Sequence, residues 1–119
     1  MPRNSRTVNF WLEQILTWSD RVETYVDGLS AQDFASDQAK IDAASWCISC
    51  IGEACGRILE IDPAFESRHP MLSLSAAYAA RNRYVHGYFD LDIEQVWVTC
   101  IDAVPRLAIE ARRILDDGS

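Results

Sequence analysis

Apolar residues recur at steps of three and four positions along most of the chain, which is the spacing of one face of an α-helix. Four such stripes run from Val8 to Leu29, from Ile41 to Ile58, from Met71 to Val85 and from Ile93 to Ile114. No segment alternates apolar and polar residues convincingly, as a half-buried strand would. The pattern therefore predicts an all-α fold, an antiparallel up-and-down bundle of four to five helices.

Capping and helix-breaking residues separate the first two stripes. Gly28 is a stop signal for the first helix, and Ser30 is predicted to cap a short connecting segment that reaches Phe34. A second long helix is predicted from about Asp37 to Glu60. The first two long helices should therefore begin and end at these capping and helix-breaking residues.

The remaining two stripes predict a third helix from Met71 to about His86, which Gly87 terminates, and a fourth that Asp90 or Asp92 caps. Pro105 lies inside the fourth helix and removes one backbone hydrogen bond. We expect a bend one turn earlier, near Ile101.

Two glycines, Gly52 and Gly56, lie four residues apart inside the second helix. Each costs a helix about 1 kcal/mol relative to alanine. Their presence on one helix face therefore predicts that a neighbouring helix approaches closely there.

The 119 residues are short enough for one domain, predicted over residues 1–119, and the net charge of −7 disfavours broad phosphate binding. Ten of the eleven basic residues are arginine, the side chain suited to bidentate phosphate contact. No apolar stretch is long enough for a membrane span and no signal segment is recognisable, so a cytoplasmic location is expected. The four cysteines are interpreted as small buried thiols rather than disulfides or metal ligands.

The most polar part of the third stripe is the segment Arg81-Asn82-Arg83-Tyr84-Val85-His86-Gly87-Tyr88. If the substrate is an RNA phosphodiester, His86 can act as acid or base and Arg81 can hold the phosphate and stabilise its developing charge. Asn82 could orient the imidazole or the sugar, Arg83 is a second candidate phosphate contact, and Tyr88 could stack on a base. This chemistry needs no metal and no cofactor.

A plain structural interpretation stays open beside the catalytic one. A histidine in the last turn of a helix interacts favourably with the helix dipole, and Arg81 could simply pair with Asp90 or Asp92. A carboxylate-bridged metal bundle is also conceivable, since Glu66 precedes His69 by three residues. The required second Glu-x-x-His copy is missing from the sequence, so this interpretation is set aside.

The Arg81 to Tyr88 segment, followed by Phe89-Asp90-Leu91-Asp92, resembles the signature of the HepT-like branch of the HEPN superfamily, and Ile51-Gly52-Glu53-Ala54 resembles its second-helix block. The resemblance implies a metal-independent ribonuclease toxin of a toxin-antitoxin pair, working as a homodimer whose two motifs meet at one cleft. It implies that Arg81 and His86 are catalytic and that Asn82 is an accessory residue. It also implies that a minimal nucleotidyltransferase antitoxin adenylylates Tyr88.

A second hypothesis from a different class is a non-catalytic helical adaptor that binds a nucleotidyltransferase. The acidic composition supports it, because an acidic surface favours a basic partner.

Overall fold

The structure is a computed structural model that describes residues 6–118, apart from the side chain of Tyr88. The described residues contain no strand. The α-helices in chain order are α1 (Val8–Val26), α2 (Ala31–Ala35), α3 (Gln38–Ile61), α4 (Phe65–Arg68), α5 (Leu74–His86), α6 (Ile93–Val98) and α7 (Val104–Asp116). Two 3-10 turns, Pro70–Leu72 and Tyr88–Asp90, flank α5, and a π-helical segment, Thr99–Ala103, joins α6 to α7.

Local capping chemistry explains most of these helix boundaries. Gly28 has a positive φ of 77°, so it stops α1 as its position in the sequence predicted. The Ser30 hydroxyl accepts a hydrogen bond from the Asp33 backbone N–H while the Asp33 carboxylate accepts one from Ser30, a reciprocal capping box that begins α2. Asp37 and Asp92 cap α3 and α6 with their side chains. The predicted starts of these elements are therefore confirmed.

Helix α3 lies between α1 and α5, and α7 packs against α1. The predicted apolar stripe of α3 is entirely buried; its members are Ile41, Ala44, Ile48, Ile51, Cys55 and Ile58. The buried side of α1 contains Ile15 and Val22 from its predicted stripe, but Leu12 and Val26 replace the aromatic members, which lie at the edge of the core. The all-helical bundle is confirmed.

The two glycines of α3 lie where α5 crosses closest. A Cβ added to Gly52 would lie 2.4 Å from the Arg81 Cβ, and one added to Gly56 would lie 2.5 Å from the Tyr78 ring. The predicted close approach is confirmed, and the order of these contacts shows that α3 and α5 run antiparallel. The absence of a Cβ at Gly52 and Gly56 therefore allows the short distance between α3 and α5, the helix that carries the polar motif.

The predicted inward face of the third helix is wrong for most of its length. Leu74 is buried as predicted, but Met71, Tyr78 and Val85 are exposed by 73%, 40% and 46%, and Tyr84, which is not part of the stripe, is buried. The α-helix also begins at Leu74 rather than Met71, after a 3-10 turn. The reason is that α5 packs mainly against α3, so only the side toward α3 is covered.

The fourth stripe forms α6, the π-helical segment and α7. At Ile101, where a bend was expected, the structure has the π-helical segment, which directly precedes Val104 and Pro105. A proline lacks the N–H that would bond to the preceding turn, and a π turn accommodates this loss within a continuous helix.

The four cysteines carry free thiols, as expected, and three are buried while Cys50 is half-buried. Burial raises the pKa of the Cys50 thiol to about 11 and the pKa values of Cys55 and Cys100 to about 12. These thiols stay protonated at neutral pH and act as small core residues.

Candidate active site

The polar motif occupies the last turns of α5 and the turn that follows. Helix α5 ends at His86, and the Gly87 N–H donates to the Arg83 carbonyl. The chain then enters the 3-10 turn Tyr88–Asp90. Basic side chains are favoured in a last helical turn because the helix dipole is negative there.

An ion-pair network holds Arg81 against α3. The Arg81 Nη2 lies 3.3 Å from the Glu53 Oε1, and the Arg57 Nη2 lies 2.6 Å from the other oxygen of the same carboxylate. The Arg57 Nη1 also lies 3.2 Å from Glu60. Glu53 therefore fixes Arg81 from the neighbouring helix.

The alternative partners of Arg81, Asp90 and Asp92, are not the ones that the structure shows. Asp92 instead accepts a hydrogen bond from the Glu94 N–H. The sequence analysis singled out Glu53 only as part of the segment Ile51–Ala54 that resembles the family, and it gave this residue no role. No local spacing rule pairs Glu53 with Arg81, which lies far along the chain. The close approach at Gly52 could have pointed to it, since Glu53 is the next residue on α3.

Arg81 keeps access to solvent despite its ion pair. Its side chain is 28% exposed and lines a polar cavity of about 270 Å³ together with Arg57, Glu60 and Tyr78. A carboxylate shared by two guanidiniums leaves N–H donors free for an anion. The arrangement can therefore bind a phosphate oxygen without breaking the Glu53 contact.

His86 is exposed, and within residues 6–118 its imidazole forms no hydrogen bond or ion pair. Asn82 lies one turn earlier on the same face of α5, and its Oδ1 accepts a hydrogen bond from the Arg81 Nη1 at 3.3 Å. Arg81 itself lies about 140° away from His86 around the helix. One copy of α5 therefore links Arg81 to Asn82, which shares a face with His86, but leaves the side chains of Arg81 and His86 on different sides of the helix.

Arg83 is exposed and, in the described part of the chain, forms no ion pair. Tyr88 lies at the start of the 3-10 turn, two residues after His86, and its side chain is outside the described residues. Both positions follow directly from the end of α5.

Apolar side chains surround the end of α5 on the protein surface. Trp46 is 64% exposed, and Phe89 is fully exposed. Trp46 and Val85 line a cavity of about 420 Å³ whose wall includes the buried Ser45. Tyr84 lies behind this cavity, where burial raises its pKa and a hydrogen bond to Thr99 counteracts part of the increase. We name the three exposed apolar side chains Trp46, Val85 and Phe89 the apolar collar.

Within the described residues, no group of three or more histidine, cysteine or acidic side chains is placed to hold a metal ion. None of the helices in this part of the chain is both long and apolar enough to cross a membrane.

The segment from residue 15 to residue 114 matches the model of the family described as Ribonuclease HepT-like. The chain belongs to the HepT-like ribonuclease family. It is therefore a ribonuclease, and the matched region contains α3, the Glu53–Arg81 pair and the whole end of α5.

Curated relatives agree with this assignment over nearly their full length. The protein named "Putative RNase MJ0125" of Methanocaldococcus jannaschii is 25% identical over 98% of this chain and 97% of its own. The protein named "Putative RNase TTE0752" of Caldanaerobacter subterraneus is 26% identical over 92% and 96%. The "Probable ribonuclease HepT" of Thermococcus cleftensis is 26% identical over 82% of this HepT-like chain and 86% of its own. No solved structure matches it.

Proposed function

We propose that this HepT-like protein is a single-domain, metal-independent RNA endonuclease that acts in the cytoplasm as the toxin of a toxin-antitoxin pair. The observation that carries the proposal is a guanidinium anchored by Glu53 and an exposed, unpaired imidazole at the end of the same helix, inside the family-matched region. Arg81 and His86 are the proposed catalytic residues.

The proposed reaction is attack of a ribose 2′-oxygen on the adjacent phosphorus. His86 accepts the 2′-hydroxyl proton, the O2′–P bond forms, the P–O5′ bond breaks, and an imidazolium returns a proton to the 5′-oxygen. Arg81 binds the nonbridging oxygens as their charge increases. Asn82 orients the imidazole or the sugar, and Arg83 contacts a second phosphate.

A homodimer makes the site complete. Arg81 and His86 face different directions on one helix, so a two-fold axis near the end of α5 would place the histidine of one copy opposite the arginine of the other. The apolar collar of Trp46, Val85 and Phe89 is the kind of exposed surface that such contact covers.

The first test measures cleavage of RNA by the purified protein in the presence of EDTA. We expect the wild type to cleave and His86→Ala and Arg81→Ala to lose at least about a hundredfold in rate. Arg112→Ala, which removes an exposed arginine on α7, is the matched control and should cleave normally. Equal cleavage by all four proteins would contradict the catalytic roles of Arg81 and His86. No cleavage by the wild type would contradict the proposed RNA cleavage itself.

A second test asks whether the site is shared between copies. Mixing Arg81→Ala with His86→Ala and allowing subunits to exchange makes half of the dimers mixed, and one of the two composite sites in each mixed dimer is intact. Recovery to about a quarter of wild-type cleavage is expected. Two inactive variants that stay inactive after exchange would place both groups within one copy.

We further propose that a nucleotidyltransferase antitoxin silences the toxin by adenylylating Tyr88. An anionic nucleotide beside the cleft would block it and repel RNA phosphates. Incubation with that antitoxin and ATP should add one AMP mass to the intact protein and should stop RNA cleavage. An adduct that persists in Tyr88→Phe would contradict this site.

The second candidate function is a non-catalytic adaptor for a nucleotidyltransferase. The net charge of −7 favours it, because an acidic protein binds RNA poorly and a basic protein well. Binding of the nucleotidyltransferase without any RNA cleavage under any condition tested would favour this function over the first.

A further inference from the structure

The polar cavity beside Arg81 contains hydrogen-bonding groups that the proposed phosphate contact does not use. The cavity has a volume of about 270 Å³, and the side chains of Glu53, Arg57, Glu60, Tyr78 and Arg81 line it. Sites for small ligands begin at about 300 Å³, so this space suits one planar group rather than a whole nucleotide. Because Arg81 lines the same cavity, a group bound there lies beside the phosphate that Arg81 is proposed to hold.

The part of the cavity around Arg57 suits an uncharged polar group. The Arg57 Nη2 lies 2.6 Å from the Glu53 Oε2, and its Nη1 contacts both oxygens of Glu60 at 3.2 and 3.4 Å. These two carboxylates compensate the charge of Arg57. The Glu60 side chain is 66% exposed, so its carboxylate would repel a second phosphate. A neutral base of the RNA therefore fits this part of the cavity better than an anion does.

Arg57 and Glu60 together present one hydrogen-bond donor beside two acceptors. The Arg57 Nη1 carries two hydrogens and each carboxylate oxygen has two lone pairs, so both groups keep free positions after they bond to each other. Guanine has the complementary edge, because its O6 accepts while its N1–H and N2 amino group donate. Adenine and cytosine have a donor in place of O6 and an acceptor in place of N1–H. Uracil matches the first two positions only, since its O2 stands where guanine has the N2 donor.

Tyr78 adds an aromatic ring to the same cavity. It is 40% exposed and lines the cavity together with Arg57 and Glu60. An aromatic side chain stacks on any base, because every base has a π face. Stacking on Tyr78 therefore contributes affinity, while the Arg57–Glu60 pair contributes the choice of base.

We propose that this cavity is a guanine pocket for a nucleotide that flanks the scissile phosphate. Glu60 accepts from N1–H and from the N2 amino group, Arg57 donates to O6, and Tyr78 stacks on the base. The pocket rests on the proposed RNA cleavage and adds a base preference to it. The expected order of substrates is guanosine first, uridine second, and adenosine and cytidine last.

The test compares short RNAs of adenosines in which one central position is varied. We expect the wild type to cleave the RNA with a central guanosine about ten- to a hundredfold faster, in kcat/KM, than the RNA made of adenosine alone, because a bidentate base contact discriminates by about that factor. Inosine at the central position lacks the N2 amino group and should give an intermediate rate.

The decisive variant is Glu60→Gln. Its amide replaces one acceptor with a donor, so the pattern becomes donor, acceptor, donor and matches O4, N3–H and O2 of uracil. The variant should lose its preference for guanosine and cleave the RNA with a central uridine fastest, a change that a loss of stability would not produce. Glu13→Gln, which neutralises an exposed carboxylate on α1, should keep the wild-type order. An unchanged order in Glu60→Gln would overturn the pocket.

Binding separates the pocket from the cleavage. The 2′-deoxy forms of the same oligonucleotides lack the attacking hydroxyl, so their affinities, measured by fluorescence anisotropy, do not depend on catalysis. The wild type should bind the guanine oligonucleotide about tenfold more tightly than the adenine one, and Glu60→Gln should not. Selective binding without cleavage of any RNA would support the pocket and contradict the proposed function. Cleavage without any preference for guanine would overturn the pocket alone, and the absence of both would overturn both.

Discussion

Replacing Gly52 with alanine tests whether the distance between α3 and α5 controls catalysis. The new Cβ would lie 2.4 Å from the Arg81 Cβ and 2.8 Å from the Ala77 carbonyl oxygen, whereas ordinary contact begins at 3.4 Å. The two helices must therefore separate by about 1 Å, because neither obstacle is the end of a flexible side chain.

The expected losses in stability and in rate differ in size. Overpacking costs about 1–3 kcal/mol, whereas replacing glycine with alanine improves the helix propensity by about 1 kcal/mol. The free energy of unfolding should therefore fall by about 0–2 kcal/mol. A displacement of about 1 Å at a catalytic group costs about a hundredfold in rate. Gly52→Ala should therefore stay folded and lose most of its RNA cleavage.

The matched control is Gly56→Ala, the same substitution one turn later on α3. Its Cβ would lie 2.5 Å from the Tyr78 ring edge, and this half-exposed ring can rotate away for about 1 kcal/mol. Urea denaturation followed by far-UV circular dichroism, together with RNA cleavage rates, compares the two variants. Wild-type cleavage by Gly52→Ala, or an equal loss in Gly56→Ala, would refute the reasoning.

Three further predictions follow from contacts elsewhere. Glu53→Gln should release Arg81 and reduce RNA cleavage by about tenfold, while changing stability by less than about 1 kcal/mol because the ion pair is partly exposed. Glu13→Gln, which neutralises an exposed carboxylate on α1, should cleave normally. Burial raises the pKa of the Cys55 thiol from 9.0 to about 12, so the unfolded chain loses this proton first. Between pH 9 and 12 Cys55 alone should therefore lower the free energy of unfolding by about 1.4 kcal/mol per pH unit. A urea midpoint in Cys55→Ala that falls as steeply with pH as in the wild type would contradict this. Ser30→Ala removes half of the capping box of α2 and should lower the thermal midpoint by the equivalent of about 1 kcal/mol; an unchanged midpoint would show that the cap is dispensable.

The site divides into a part that local sequence specifies and a part that it does not. The end of α5, and with it the order of Arg81, Asn82 and His86 along one helix, follows from residues within two turns of each other. The anchoring of Arg81 by Glu53 joins two helices far apart in the chain. No local spacing rule contains that pair.

The sequence by itself determined where most helices begin and stop, because capping side chains and a glycine with positive φ act on their own backbone within a few residues. It also determined that a neighbouring helix approaches α3 closely at Gly52 and Gly56, because two glycines four residues apart leave room there. Only the tertiary structure decided which side of α5 is covered. That side depends on how many helices pack around α5, and with α3 as its main neighbour Met71, Tyr78 and Val85 remain in solvent although their spacing is that of a core stripe.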